Sequence, residues 1–208
     1  MAKELLIDQI SLIKIDTNKL NESIDKNSGR LIIKGVVQRA DAKNQNGRIY
    51  PRKVLERETQ RYLDNEVKEK RAISELDHPD SSIVTMANGC IHMNKLWWQG
   101  NDLMGEMEVL CDTPTLPGTP MGNILAAYLK RGLTVGISSR GLGSVKENKE
   151  QGGVIVEDDF ELVAFDIVSN PSTKGAFLKP INESKNSKVL DVDLKYNKVS
   201  KLIKNILS

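Results

Sequence analysis

Val135-Gly-Ile-Ser138-Ser139-Arg140-Gly141-Leu-Gly143 is the stretch on which the reading of this chain turns. An apolar, strand-like approach leads into a paired serine and closes on Arg-Gly-Leu-Gly. That arrangement sets a hydroxyl at a strand end, beside backbone N–H groups able to face an oxyanion. The 208 residues contain only two histidines, and one of them, His78, lies in Glu75-Leu-Asp-His78-Pro79, where the chain turns. A scarce histidine on one turn and a serine on another, glycine-flanked turn are the raw materials of nucleophilic hydrolysis.

Outward from this stretch the chain reads as strands interrupted by two helices. Residues 30–38 form an apolar strand, and 44–50 a turn. Pro51 opens a helix predicted to run to about Lys70, with Val54, Leu55, Tyr62, Leu63 and Val67 on one face. Strands are predicted over 72–76, 83–98, 102–110, 133–138, 153–157 and 160–168. Thr119-Pro120 caps a second helix, in which Met121, Ile124, Leu125, Tyr128 and Leu129 repeat at helical spacing before Gly132 stops it. No strand–helix alternation appears, so the expected class is α+β, a mainly antiparallel barrel or sandwich with few helices. Three regions are expected: a polar N-terminal arm or linker (1–29), the main domain (30–183) and a basic tail (184–208). In the tail, Val199, Leu202, Ile203, Ile206 and Leu207 mark an amphipathic helix.

Net charge is +2, and the tail holds six Lys and two Asp, a local +4 that leaves −2 on residues 1–183. Neither balance calls for nucleic acid or a membrane surface. No apolar run approaches the roughly 18–20 residues of a bilayer span, and the N-terminus lacks a signal-peptide plan. Two cysteines, Cys90 and Cys111, make no disulfide framework.

Attack on a peptide carbonyl needs an activated oxygen, a base titrating near neutrality and a group to orient that base. His78 is the candidate base and Ser138 or Ser139 the nucleophile. For the orienting group, Asp166 places one carboxylate inside the apolar run Leu162-Val-Ala-Phe-Asp166-Ile-Val168, which is costly unless it is paired. Each signal also has an ordinary structural reading: paired serines make turns, a His-Pro step caps one, and an aspartate can close a strand. Cys90 and His92 fall on one face of a strand and, with Cys111 and His78, are the residues a zinc site would draw on; without CxxC or HxxxH spacing, strand-buried thiols read as core and no metal or cofactor is expected. Trp97-Trp98 reads as packing at a strand end.

Asn46-Gly-Arg-Ile-Tyr-Pro51, Glu75-Leu-Asp-His-Pro79, Leu96-Trp-Trp-Gln-Gly-Asn-Asp102, Val135 to Ser144, and Asp166 followed by Pro171-Ser172 occur in this order. Together they resemble the prohead core proteases of T-even-like tailed phages over residues 30–183. The resemblance implies a β-barrel ringed by helices, similar to herpesvirus assemblin. It implies a serine endopeptidase that matures the capsid inside the prohead, in the host bacterium, on scaffold, core and major capsid protein precursors. No membrane or nucleic acid is required, and self-association of the barrel is among the partnerships it allows. By motif position His78 is the base, Ser138 the nucleophile with Ser139 as fallback, and Asp166 the third member with His92 as fallback. The backbone N–H groups of Ser139, Arg140 and Gly141 would form the oxyanion site.

The family cleaves after a glutamate that has Leu or Ile two residues before it. Leu20-Asn-Glu22-Ser23 and Ile181-Asn-Glu183-Ser184 fit, one at each expected domain edge, so self-cleavage is expected at Glu22 and Glu183. A glutamate-selective pocket needs a cation, and Arg39, Arg48, Lys95 and Arg140 are the candidates. The rival reading is a non-enzymatic prohead scaffold or assembly protein that keeps the barrel and works through its basic tail.

Overall fold

The computed structural model describes residues 3–13, 16–148 and 152–169. The central sheet has the order β1 (Glu4–Ile13), β7 (Val135–Gly143) and β10 (Glu161–Val168), with β7 antiparallel to both neighbours. A second sheet, β2 (Leu31–Arg39), β6 (Asp102–Val109), β5 (Gly89–Gln99) and β4 (Ile73–Glu75), is antiparallel throughout. A small third sheet sets β3 (Arg48–Ile49) parallel to β9 (Gly153–Val156), and β9 antiparallel to β8 (Val145–Asn148). The helices are α1 (Thr17–Lys26), α2 (Arg52–Tyr62) and α3 (Pro120–Lys130).

The mixed α+β class and antiparallel character agree with the sequence reading, but the described strands do not close into a barrel. A parallel bridge, Leu76 to Ile167, links the first two sheets, supported by Asp77 N–H donating to Ile167 O at 2.7 Å. Their inner faces share one core, in which Leu6, Ile33, Val37, Ile91, Met93, Met107, Ile137, Phe165 and Ile167 are all buried.

Four local expectations are corrected. Residues 4–13 are no free arm: they form β1, an edge strand of the central sheet. The Arg-Gly-Leu-Gly segment is not a turn, because β7 runs unbroken through it. The glycine there serves packing, since a Cβ on Gly141 would lie 2.4 Å from the Phe160 ring. The strand expected from residue 83 begins only at Gly89; a loop ending in the 3-10 turn Met86–Asn88 precedes it. The helix expected to reach Lys70 ends as α2 at Tyr62 and widens into a π turn, Leu63–Val67. The second helix follows the sequence closely: the Thr119 hydroxyl accepts the Gly122 N–H at 3.0 Å, and Pro120 fills the first helical position. The basic tail and Glu183 lie outside the described residues.

Candidate active site

Strand alternation separates the two serines. Ser138 and Arg140 point to one face of β7, whereas Ser139 points to the other with Ile137 and Gly141. Ser139 is fully satisfied: its Oγ accepts Gln38 Nε2 at 2.8 Å and donates to Asp8 O at 3.4 Å. Ser138 is different. Its residue is 0% exposed, and its Oγ has no hydrogen-bond partner among the described residues. Asp166 stands directly opposite it on β10.

His78 follows β4 on the loop that leaves the bridge at Leu76. Asp77, just before it, takes a left-handed conformation (φ 57°). The ring is half-buried and its Nδ1 is enclosed without a hydrogen-bond partner among the described residues. Ser138 Oγ and His78 Nδ1 thus share a condition also found among the described residues at Asp166 Oδ2, His92 Nε2 and several other buried polar atoms, and in these two it leaves the hydroxyl and the ring nitrogen uncommitted.

Asp166 is occupied elsewhere. Its Oδ1 accepts the Glu75 N–H at 3.0 Å and Arg140 Nη2 at 3.3 Å, and its Oδ2 lies 2.8 Å from Arg140 Nε. That last approach is an ion pair without hydrogen-bond alignment. No hydrogen bond joins Asp166 to His78 among the described residues, so the carboxylate expected to orient the imidazole grips Arg140 instead. Burial drives the Asp166 carboxyl above its ordinary pKa; the Arg140 charge and the Glu75 N–H pull it down, and the Glu75 charge pushes it further up.

Arg140 is 0% exposed. It donates through Nη1 to Ser81 O (2.7 Å) and Ile83 O (3.2 Å), and through Nη2 to Glu75 Oε1 (2.9 Å). The backbone N–H groups of Ser139, Arg140 and Gly141, expected to form an oxyanion site, belong to a strand with β1 on one side and β10 on the other. They face those ladders rather than an open cleft, the physical consequence of a strand where a turn was expected.

His92 does not join this group. It lies on β5 with Nδ1 3.0 Å from Asn94 Oδ1. The zinc alternative gains nothing: burial raises the thiol pKa of both Cys90 and Cys111, and among the described residues no group of three or more His, Cys, Asp or Glu is placed to hold a metal ion. The four cations considered for glutamate recognition are each paired: Arg39 with Asp102, Arg48 with Asp8, Lys95 with Glu106, and Arg140 as above. Trp98 lies beneath Arg52, whose Cζ is 3.6 Å from the ring centroid, which gives it a packing role.

Asp8 is the residue that sequence reasoning missed. Its side chain is 0% exposed, and it accepts Asn46 Nδ2 at 2.7 Å, Arg48 Nη1 at 3.0 Å and the Tyr50 hydroxyl. Burial, followed by the Asp8 charge, lifts the Tyr50 phenol well above its ordinary pKa. The Asn46-Gly-Arg-Ile-Tyr50 motif thus pins β1 against the serine strand.

A family model for the prohead core protein serine protease matches residues 3–186. This chain belongs to that family. The prohead core protein protease of Enterobacteria phage T4 is 36% identical over 151 residues, covering 72% of this chain and 68% of that one. The solved structure of the bacteriophage T4 capsid assembly protease matches with a TM-score of 0.66 and 30% identity, covering 81% of this chain and 99% of that chain. Within this prohead protease, the buried group of Ser138, Asp166, Arg140 and Glu75 sits where the serine strand, β10 and the His78 loop come together.

Proposed function

We propose that this protein is a serine endopeptidase acting inside the phage prohead, in the infected cell, on scaffold, core and capsid precursors. One observation carries the assignment of residues: among the described residues, Ser138 Oγ and His78 Nδ1 are buried polar atoms without hydrogen-bond partners, whereas the hydroxyl of Ser139, the alternative nucleophile, both accepts and donates. In this reading Ser138 Oγ attacks the carbonyl carbon after glutamate, and His78 takes the hydroxyl proton and returns it to the leaving amine. Water then releases the acyl group by the reverse sequence. Asp166 contributes through Arg140 rather than by touching the imidazole. Because Ser138 is 0% exposed, a peptide reaches it only when a neighbouring segment shifts. Cleavage after Leu/Ile-x-Glu, including self-cleavage at Glu22 and Glu183, follows from the family resemblance.

The test combines a fluorophosphonate probe with a Leu-x-Glu peptide. Labelling mapped to Ser138, with peptide cleavage lost in Ser138→Ala and in His78→Ala, supports the reading. Labelling at Ser139, or cleavage surviving Ser138→Ala, refutes it. A protein that neither labels nor cleaves would instead be the scaffold-like rival.

A further inference from the structure

Arg140 heads the fully buried side chains by size, and all its guanidinium nitrogens face protein oxygens. Nη1 spans Ser81 O and Ile83 O, Nη2 bridges Glu75 and Asp166, and Nε lies against Asp166 Oδ2. Glu75 extends the same network: its Oε1 also accepts the Thr85 N–H at 2.9 Å, and its Oε2 accepts Asn88 Nδ2 at 3.1 Å. At the loop's start, Asp77 N–H is held by Ile167 O. The segment 77–88, which carries His78, is therefore fixed at its beginning, middle and end, and Arg140 makes the middle attachment from the strand that bears Ser138.

We propose that Arg140 is the positioning residue of this site: it ties the base-bearing loop to the nucleophile strand and so sets where His78 stands relative to Ser138. The proposal rests on the Ser138–His78 reading above. It also assigns the two carboxylates a task, since Glu75 and Asp166 neutralise and aim a guanidinium that could not otherwise be buried. The four Nη donors are taken by protein oxygens and Nε is buried against Asp166 Oδ2, so this 0% exposed guanidinium is not presented to a substrate glutamate. Lysine cannot replace it, because a single ammonium lacks the planar fork that reaches two carbonyls and two carboxylates together.

The experiment compares the full chain with Arg140→Lys by amide hydrogen exchange, by steady-state cleavage of a Leu-x-Glu peptide normalised to phosphonate-titrated sites, and by the pH profile of kcat/KM. Expected are amides of 77–88 exchanging at least about tenfold faster while β5 and β6 keep their protection. Turnover per titrated site should fall roughly 100-fold, with KM within about threefold, as expected when a reacting group is displaced by about an ångström. The acidic limb of the pH profile should shift. If Arg140→Lys does not fold, Glu75→Gln, which leaves both carbonyl contacts in place, should show the same exchange pattern to a smaller degree. Unchanged exchange over 77–88 in a folded variant overturns the proposal. So does a loss of activity fully explained by fewer titrated sites at an unmoved pH midpoint. The exchange result stands even if Ser138→Ala and His78→Ala leave cleavage intact, an outcome that would refute the catalytic assignment alone.

Discussion

Ser138 on β7 and Asp166 on β10 are direct cross-strand partners, yet the Asp166 carboxylate turns diagonally to Arg140 and the Ser138 hydroxyl has no acceptor among the described residues. Ser138 is therefore a stability liability. Ser138→Ala should abolish cleavage and leave the fold as stable or up to about 1 kcal/mol more stable, because a buried unsatisfied hydroxyl is removed. Ser139→Ala should do the reverse, costing about 1–2 kcal/mol by stranding Gln38 Nε2 while cleavage persists. Chemical denaturation run beside a peptide assay separates the two.

Enclosure of Ser138 has a kinetic signature. If access depends on local opening, the rate of phosphonate labelling should level off as reagent concentration rises, at a plateau set by the opening rate. Strict proportionality over the whole range would mean a site that is open at rest.

Asp8 anchors β1. Asp8→Ala leaves Arg48 and Tyr50 without their buried acceptor and should cost about 3–5 kcal/mol. The loss should appear as a lower denaturation midpoint, together with fast exchange along 4–13.

Glu58 joins α2 to β10. Burial alone would raise its carboxyl, but hydrogen bonds from Arg61, the Leu162 N–H and Arg57 outweigh it and leave the group below its ordinary pKa. A lowered folded pKa means that the unfolded chain binds more protons, so this stabilisation is full above about pH 4.3 and drains as pH falls through the folded value. The stability gap between wild type and Glu58→Gln should accordingly be widest near neutrality and shrink in acid.

Glu22 lies inside α1, so a cut there requires the helix to unwind first. Once cut, the piece ending at Glu22 still contains β1, paired with β7 from Glu4↔Gly143 to Ile13↔Val135. The two pieces should co-elute in gel filtration and separate only in denaturant. Early loss of the small piece under native conditions would contradict this pairing.

Local signals were the legible ones. The Thr119-Pro120 cap and the helical spacing after it specify α3 without help from elsewhere in the chain. The lone acid at Asp166 marked a buried charge, although its partner turned out to be Arg140. Asp8 carries the same mark, an acid among Leu5, Leu6, Ile7 and Ile10, but the residues that satisfy it lie about forty positions away in the Asn46–Tyr50 segment. Without that distant pairing, the polar run from Thr17 to Gly29 makes the whole segment read as an arm or linker. The Arg-Gly-Leu-Gly run misled for a related reason: Gly141 admits the Phe160 ring, a demand of tertiary contact that in sequence resembles a turn.

The last described residue, Ser169, comes two positions after Ile167, whose carbonyl holds the start of the His78 loop. Glu183 is fourteen residues further on, a reach of at most about 50 Å at about 3.6 Å per residue. Under the proposed self-cleavage, the bond after Glu183 is covalently joined to the strand that holds the start of the His78 loop, so that cut is intramolecular. The half-time of that cut should then be independent of dilution, whereas cuts in other polypeptides should slow in proportion. Trimming its own tail would be a unimolecular clock, and crowding within the head would govern only the reactions that come after it.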